Sequence, residues 1–182
     1  MYEPALQESQ CTWAEDDFTL PEGVIPLDHP EPKSGRTYVM YHGTTQEVAN
    51  AILKNGFQPS TKGMLGPGVY LSRDLQKASR YPIKLHEHKR VVLRVKVNVG
   101  QVKKIDNQHH PDRTTWHDCG YDTAWVPPHC GMVPSGLEED CVWDPARITV
   151  MGIIAPKVKR PLPARAGFPR FGKKLLRAPK VV

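Results

Sequence analysis

No apolar run in this chain approaches the roughly 20 residues that a membrane-crossing helix needs, and no leader-peptide pattern opens it. Neither a membrane partner nor export is expected. The four cysteines, Cys11, Cys119, Cys130 and Cys141, share no short paired spacing. That argues against a disulfide framework and fits reduced thiols in the cytoplasm or nucleus. His117, Cys119, His129, Cys130 and Cys141 are ligand-type side chains, but without a Cys-x₂-Cys pair no zinc knuckle, and no metal, is expected. Internal repeats are lacking too. Acidic residues are missing from one whole segment: residues 156–182 hold nine of the 25 Lys and Arg and no Asp or Glu. The rest therefore carries 16 basic against 19 acidic residues, so the net charge of +6 describes a mildly acidic body with a basic end.

What is present suits one globular domain. Apolar residues make up 39% and charged residues 24%, and 18 prolines with 14 glycines imply many turns. Residues 1–35 are acidic and proline-rich and read as an irregular arm, tethered by Trp13, Phe18, Leu20 and Val24. Residues 36–155 read as the folded domain, and 156–182 as a basic flexible tail.

Thr37–Tyr41 has the β-branched and aromatic content of a strand. Thr44 with Glu47 three residues on reads as a capping box, which starts a short helix that Gly56 stops. Phe57 is placed to pack back on it. Val69–Leu71 is a short strand. Ser72 or Asp74 then caps a second helix, which Pro82 ends. Val91, Leu93, Val95, Val97 and Val99 alternate with mostly polar residues, the clearest strand of the chain. Val102–Ile105 extends the sheet. Residues 106–138 lack a period and read as a long loop. Cys141–Trp143 and Arg147–Ile154 are further strand candidates, with a turn at Asp144-Pro145 between them.

Chemistry-bearing residues gather where strands turn into helices. His42 precedes a helix start, where an imidazole can bond a ribose hydroxyl, and Gly43 lets a ligand approach the backbone. Tyr70 follows the turn Gly66-Pro67-Gly68. Tyr81, just before Pro82, presents an aromatic ring at the end of the second helix. Glu138-Glu139-Asp140 leads a strand on which alternation puts Glu139, Cys141 and Trp143 on one face and Asp140, Val142 and Asp144 on the other. The pattern leaves open whether Glu138 or Glu139 is the functional carboxylate, and Glu139 is the first choice.

The ordered set His42-Gly43-Thr44, Gly66-Pro67-Gly68-Val69-Tyr70, Lys77–Tyr81 and Glu139 resembles the catalytic domain of the poly(ADP-ribose) polymerase family over residues 37–155. It looks closest to the small virus-induced members of fish and other vertebrates. The resemblance implies an α+β ADP-ribosyltransferase-like fold, with two small, mostly antiparallel sheets and short helices around an NAD cleft. It implies cleavage of the nicotinamide–ribose bond of NAD, the substrate, and transfer of ADP-ribose to a protein acceptor or to the chain itself. Glu139, His42 and Tyr70 are the expected catalytic residues. His42, Gly43, Thr44, Gly68, Tyr70, Ser79 and Tyr81 are the expected NAD-binding residues, and the loop Pro59–Leu65 is expected to border the pocket. Ala78 departs from the family pattern, which has a carboxamide-bonding serine there; Ser79 is the nearest hydroxyl.

Only 41 residues precede His42, so the family's helical regulatory domain is not expected, and transfer of single units is expected over polymer synthesis. Two alternatives stand beside the enzyme: a binding module for NAD or ADP-ribose without turnover, and a relative that modifies nucleic-acid ends. The basic tail would supply the nucleic-acid contact in the latter.

Overall fold

The computed structural model describes residues 11–14, 19–25 and 31–159. Ten strands are defined: β1 (Cys11–Thr12), β2 (Val24–Ile25), β3 (Thr37–Thr45), β4 (Val69–Leu71), β5 (Arg90–Asn98), β6 (Val102–Lys104), β7 (Thr123–Val126), β8 (Glu139–Val142), β9 (Ile148–Ile154) and β10 (Lys157–Val158). Two α-helices, α1 (Gln46–Asn55) and α2 (Leu75–Ala78), follow β3 and β4. The first sheet has the order β2-β3-β5-β9 and the second β4-β8-β7-β6. In each, one edge pair is parallel (β2 with β3, β6 with β7) and the other pairs are antiparallel. The architecture is thus α+β with mostly antiparallel sheets.

β5 organises the first sheet. Its alternating set Val91, Leu93, Val95 and Val97, with Val99 just beyond, is buried against Ala49 and Ile52 of α1, Phe57, and Val69, Leu71 and Val142 of the second sheet. Val92 on the opposite face packs with Trp13, Val24, Tyr41 and Ala78. Residues of 106–138 cover the far face of the second sheet, where Trp116 and Met132 join Leu65, Ala124, Val126 and Cys141. A bridge at Tyr41–Ser72 ties the sheets together, with Tyr41 N–H donating to Ser72 O (2.7 Å) and Ser72 N–H to Tyr41 O (3.0 Å).

Several expectations need correction. β3 runs on through His42 to Thr45, because its pairing with β5 continues to Thr45–Arg90. The helix cap is therefore Thr45, whose Oγ1 accepts from Val48 N–H (3.2 Å), and not Thr44. Asp74, not Ser72, caps α2. The long loop contains β7, which is buried at all four positions and so shows no alternation to read. β6 joins the second sheet and not the first. The arm is less irregular than expected. Trp13 and Val24 are buried, β2 pairs with Thr37–Tyr38, and β1 pairs with β10. β2 of the arm thus pairs into the domain's first sheet across residue 35, and β1 of the arm pairs with β10 beyond residue 155. Phe18 and residues 160–182, most of the basic tail, lie outside the described residues.

Candidate functional site

Tyr41 and Ser72 of the bridge line a cavity of about 120 Å³, and a larger one of about 610 Å³ shares several of its lining residues. His42, Tyr70, Tyr81 and Glu139 line both. Residues from three strands and the segment after α2, far apart in sequence, thus share one cleft. The larger cavity runs out along α1, where Val48, Ala51 and Ile52 form an apolar wall with Phe57. Ser60, Lys62, Gly63 and Met64 border it opposite, in the loop expected there. The smaller cavity reaches Gly43, Lys77 and Ala78.

His42 sits within β3, three residues before the cap. Its Nδ1–H donates to the carbonyl of Tyr70 (3.0 Å), and Phe57 meets the ring edge-on at 5.3 Å. Burial lowers its pKa, opposed by the bond to Tyr70. A neutral imidazole with Nδ1 so fixed offers Nε2 as an acceptor, which suits a ribose hydroxyl.

Gly43 has a packing reason beside the ligand approach that its sequence suggests. A Cβ there would lie 1.9 Å from Ala78 O and 2.9 Å from Tyr81 O. The glycine lets the end of α2 press onto β3, which brings Ala78 and Tyr81 to the cleft. Thr44 is buried and lines neither cavity. Gly68 lines the larger one and bridges to Ser60 across the loop.

Tyr70 presents its ring, not its hydroxyl. The hydroxyl donates to Gly66 O (2.7 Å) and accepts from Leu65 N–H (3.0 Å). Burial raises its pKa well above the ordinary phenol value. A hydroxyl engaged twice and held protonated is a loop anchor, so the expected catalytic role for Tyr70 shrinks to that of a wall. Gly63 is the counterpart of that anchor: its φ is +157°, and a Cβ there would sit 2.1 Å from the Tyr70 oxygen.

Ser79 does not stand in for the missing serine. It is buried, its Oγ donates to Gln76 O (2.8 Å), and it lines neither cavity. Ala78 leaves that part of the small cavity without a hydroxyl. Tyr81 is 39% exposed, enough for its ring to be met by a ligand. Its pKa is raised by burial and then by the Glu139 charge.

Glu138 and Glu139 go to different places. Glu139 lines the cleft and its Oε1 lies 3.3 Å from Lys77 Nζ. Lys77, 2% exposed, also donates from Nζ to the Glu138 carbonyl. Glu138 is buried behind the strand. Its Oε1 accepts from Ser72 Oγ (3.0 Å) and Arg73 N–H (2.6 Å), and its Oε2 from Trp125 Nε1–H (3.1 Å) and Arg73 Nε–H (3.4 Å). Burial pushes Glu138 up, but Asp140, Arg73 and Ser72 outweigh it and hold the carboxyl below its usual range. Fully buried Asp140 goes the other way, raised by burial and by the Glu138 charge.

Lys77 belongs to the candidate site, a place that the sequence did not reveal. Its place four residues before Tyr81, in a short helix capped by Asp74, was the one available signal. His117 and Cys141, weighed above as metal ligands, have other roles here. His117 stacks on Trp143, and burial pushes the Cys141 thiol up to about 12.

Residues 14–121 match the family model described as the poly(ADP-ribose) polymerase catalytic domain. The matched stretch holds His42, Tyr70, Lys77 and Tyr81 and ends before Glu139. No curated protein matches the sequence.

Proposed function

Since the chain belongs to the poly(ADP-ribose) polymerase catalytic-domain family, whose chemistry is NAD-dependent ADP-ribosyl transfer, we propose that it moves single ADP-ribose units from NAD, held in this cleft, to a protein acceptor or to itself. The observation that carries the proposal is the convergence of His42, Tyr70, Tyr81 and Glu139 on two joined cavities. The fit in size supports it. A cavity of 610 Å³ lies within the roughly 300–1,000 Å³ of small-molecule sites. The apolar wall on α1 suits the adenine, His42 Nε2 a ribose hydroxyl, and the Tyr81 ring the nicotinamide. Lys62, the positively charged residue bordering the larger cavity, suits the pyrophosphate.

Glu139 is the group we assign to the chemistry. As nicotinamide leaves, positive charge builds on the ribose, and a carboxylate bonded to a ribose hydroxyl stabilises that charge more than it stabilises bound NAD. Lys77 positions Glu139. Single-unit transfer is the reading we adopt because a small catalytic unit without a recognisable site for extending a polymer should stop after one transfer. The likeness to virus-induced members supports an antiviral role in the cytoplasm or nucleus, which induction of the transcript on infection would test.

Ala78 and the engaged hydroxyl of Ser79 favour one second reading, a module that binds NAD or ADP-ribose without turnover. Two measurements on the purified chain separate the readings. Calorimetry should show NAD binding that His42→Ala weakens while its melting temperature holds. Nicotinamide release and acceptor labelling should accompany binding in the parent. Binding without release would leave the module; unchanged affinity in folded His42→Ala would remove the site assignment.

A further inference from the structure

A third cavity, of about 510 Å³, lies across the Gly66–Gly68 turn from the cleft, and Gly68 lines both. Its walls include Pro67, His117, Asp122, Trp143, Asp144 and Arg147. We propose that this cavity docks an arginine side chain of the acceptor polypeptide, against the Trp143 ring and the Asp144 carboxylate. The proposal rests on the transferase reading for its role but on separate residues for its chemistry.

Two features select the guest. The first is a rigid aromatic wall. The Trp143 and His117 rings stack at 3.9 Å with planes 6° apart, and Trp116 braces Trp143 edge-on at 6.0 Å. His117 Nδ1–H is held by Tyr121 O at 3.2 Å. A planar cation stacks on such a surface better than a spherical ammonium does.

The second feature is charge. Asp122 and Asp144 line the cavity with one guanidinium, that of Arg147, which is engaged: its Nη2 lies 2.8 Å from Asp122 Oδ1. The charge left over is that of Asp144, which is exposed. Its Oδ1 accepts from Ala146 N–H (2.9 Å), so Oδ2 is available for a guest. A phosphate-bearing guest would meet this carboxylate and a cation already paired, so the cavity disfavours nucleic acid and favours arginine.

Position links the cavity to the chemistry. Glu139 opens β8 and Trp143 lies just past its end, four residues or about 13 Å on at strand spacing. An extended acceptor covers that distance in about four residues. The arginine should therefore lie about four residues from the modified side chain.

Peptides of about ten residues, identical except for a central arginine, citrulline or lysine, test the site without NAD. Citrulline keeps the shape and removes the charge. Calorimetry should show the arginine peptide binding about tenfold more tightly than the citrulline peptide, the scale of a cation–π contact with a nearby carboxylate. Asp144→Asn, which keeps a capping side chain, and Trp143→Leu should each weaken the arginine peptide several-fold. With NAD present, Asp144→Asn should raise the peptide KM and leave kcat at saturating peptide. Equal binding of arginine and citrulline peptides, or an unchanged affinity in folded Asp144→Asn, overturns the site. A parent that binds the arginine peptide but releases no nicotinamide overturns the transferase reading and leaves the docking site standing.

Discussion

The two sides of β8 carry the same chemistry to different ends. Behind the strand, Glu138 and Asp140 lie buried with Arg73, whose guanidinium carbon sits 5.7 Å from the Tyr38 ring and 5.8 Å from the Trp125 ring. In front, Glu139 stands in the cleft with Lys77. Both regions pair carboxylates with a buried cation, yet they differ in what remains unsatisfied. Four hydrogen bonds saturate Glu138. Glu139 has one cation at 3.3 Å and an open side. A carboxylate is free to act on a ligand only where its neighbours leave lone pairs unused, and one residue of strand register decides which glutamate that is.

The largest effect should come from breaking the rear cluster. Arg73→Met keeps an unbranched apolar stem, shorter than arginine, and removes the charge that faces Glu138. Loss of one member of a buried ion pair typically costs about 3–5 kcal/mol, and urea unfolding of the variant should show it. A loss under about 1 kcal/mol would mean that the cluster matters little to stability, and the contrast between the two sides would fail.

The front side should respond in rate and not in stability. Glu139→Gln should lower nicotinamide release by on the order of a hundredfold, about 3 kcal/mol in the barrier, with NAD affinity nearly unchanged. Glu138→Gln is the control: it should lose stability first. Full activity in Glu139→Gln would end its catalytic assignment. Lys77→Met should have a smaller effect of the same kind, roughly tenfold on kcat with little change in KM, since it frees Glu139 to leave its position. A rise in KM without a fall in kcat would make Lys77 a binding residue instead.

How far the sequence carried the reading varies by element, for physical reasons. The alternation in β5 and the residues around His42 and Tyr70 were legible, because local period and local motif suffice there. The cap shifted from Thr44 to Thr45 because the extent of β3 is fixed by its partner β5. β7 was missed because burial on both faces erases alternation. The choice between Glu138 and Glu139 needed the register Val126–Glu139 and Trp125–Asp140, which no local pattern supplies. Ser79 looked available until its helix took its hydroxyl. The helix α1 was legible from its cap region and its stop at Gly56, but that Val48, Ala51 and Ile52 wall the cleft is a tertiary fact that no local pattern supplies.

The smallest effect tests the proton that the rear cluster holds. Asp140 is fully buried, 3.9 Å from Arg73 Nε, and neither of its oxygens has a hydrogen-bond partner of good geometry among the described residues. Burial and the Glu138 charge raise its pKa well above 3.8. The folded chain therefore keeps a proton that the unfolded chain gives up near that value. This contribution to stability is complete below about pH 3.8 and is lost as pH rises through the folded value. Glu138, held low, has the opposite sign: its contribution is present above 4.5 and is lost as pH falls through its folded value. Asp140→Asn keeps the shape of the protonated carboxyl and removes its titration. Melting temperatures of parent and variant should nearly coincide at pH 4. The variant should then gain on the parent as pH rises, until Asp140 in the folded parent has ionised. A difference that stays flat across that range would show that Asp140 is not the group that holds the proton, and the charge balance drawn for the rear of β8 would have to be redrawn around Arg73 and Glu138 alone.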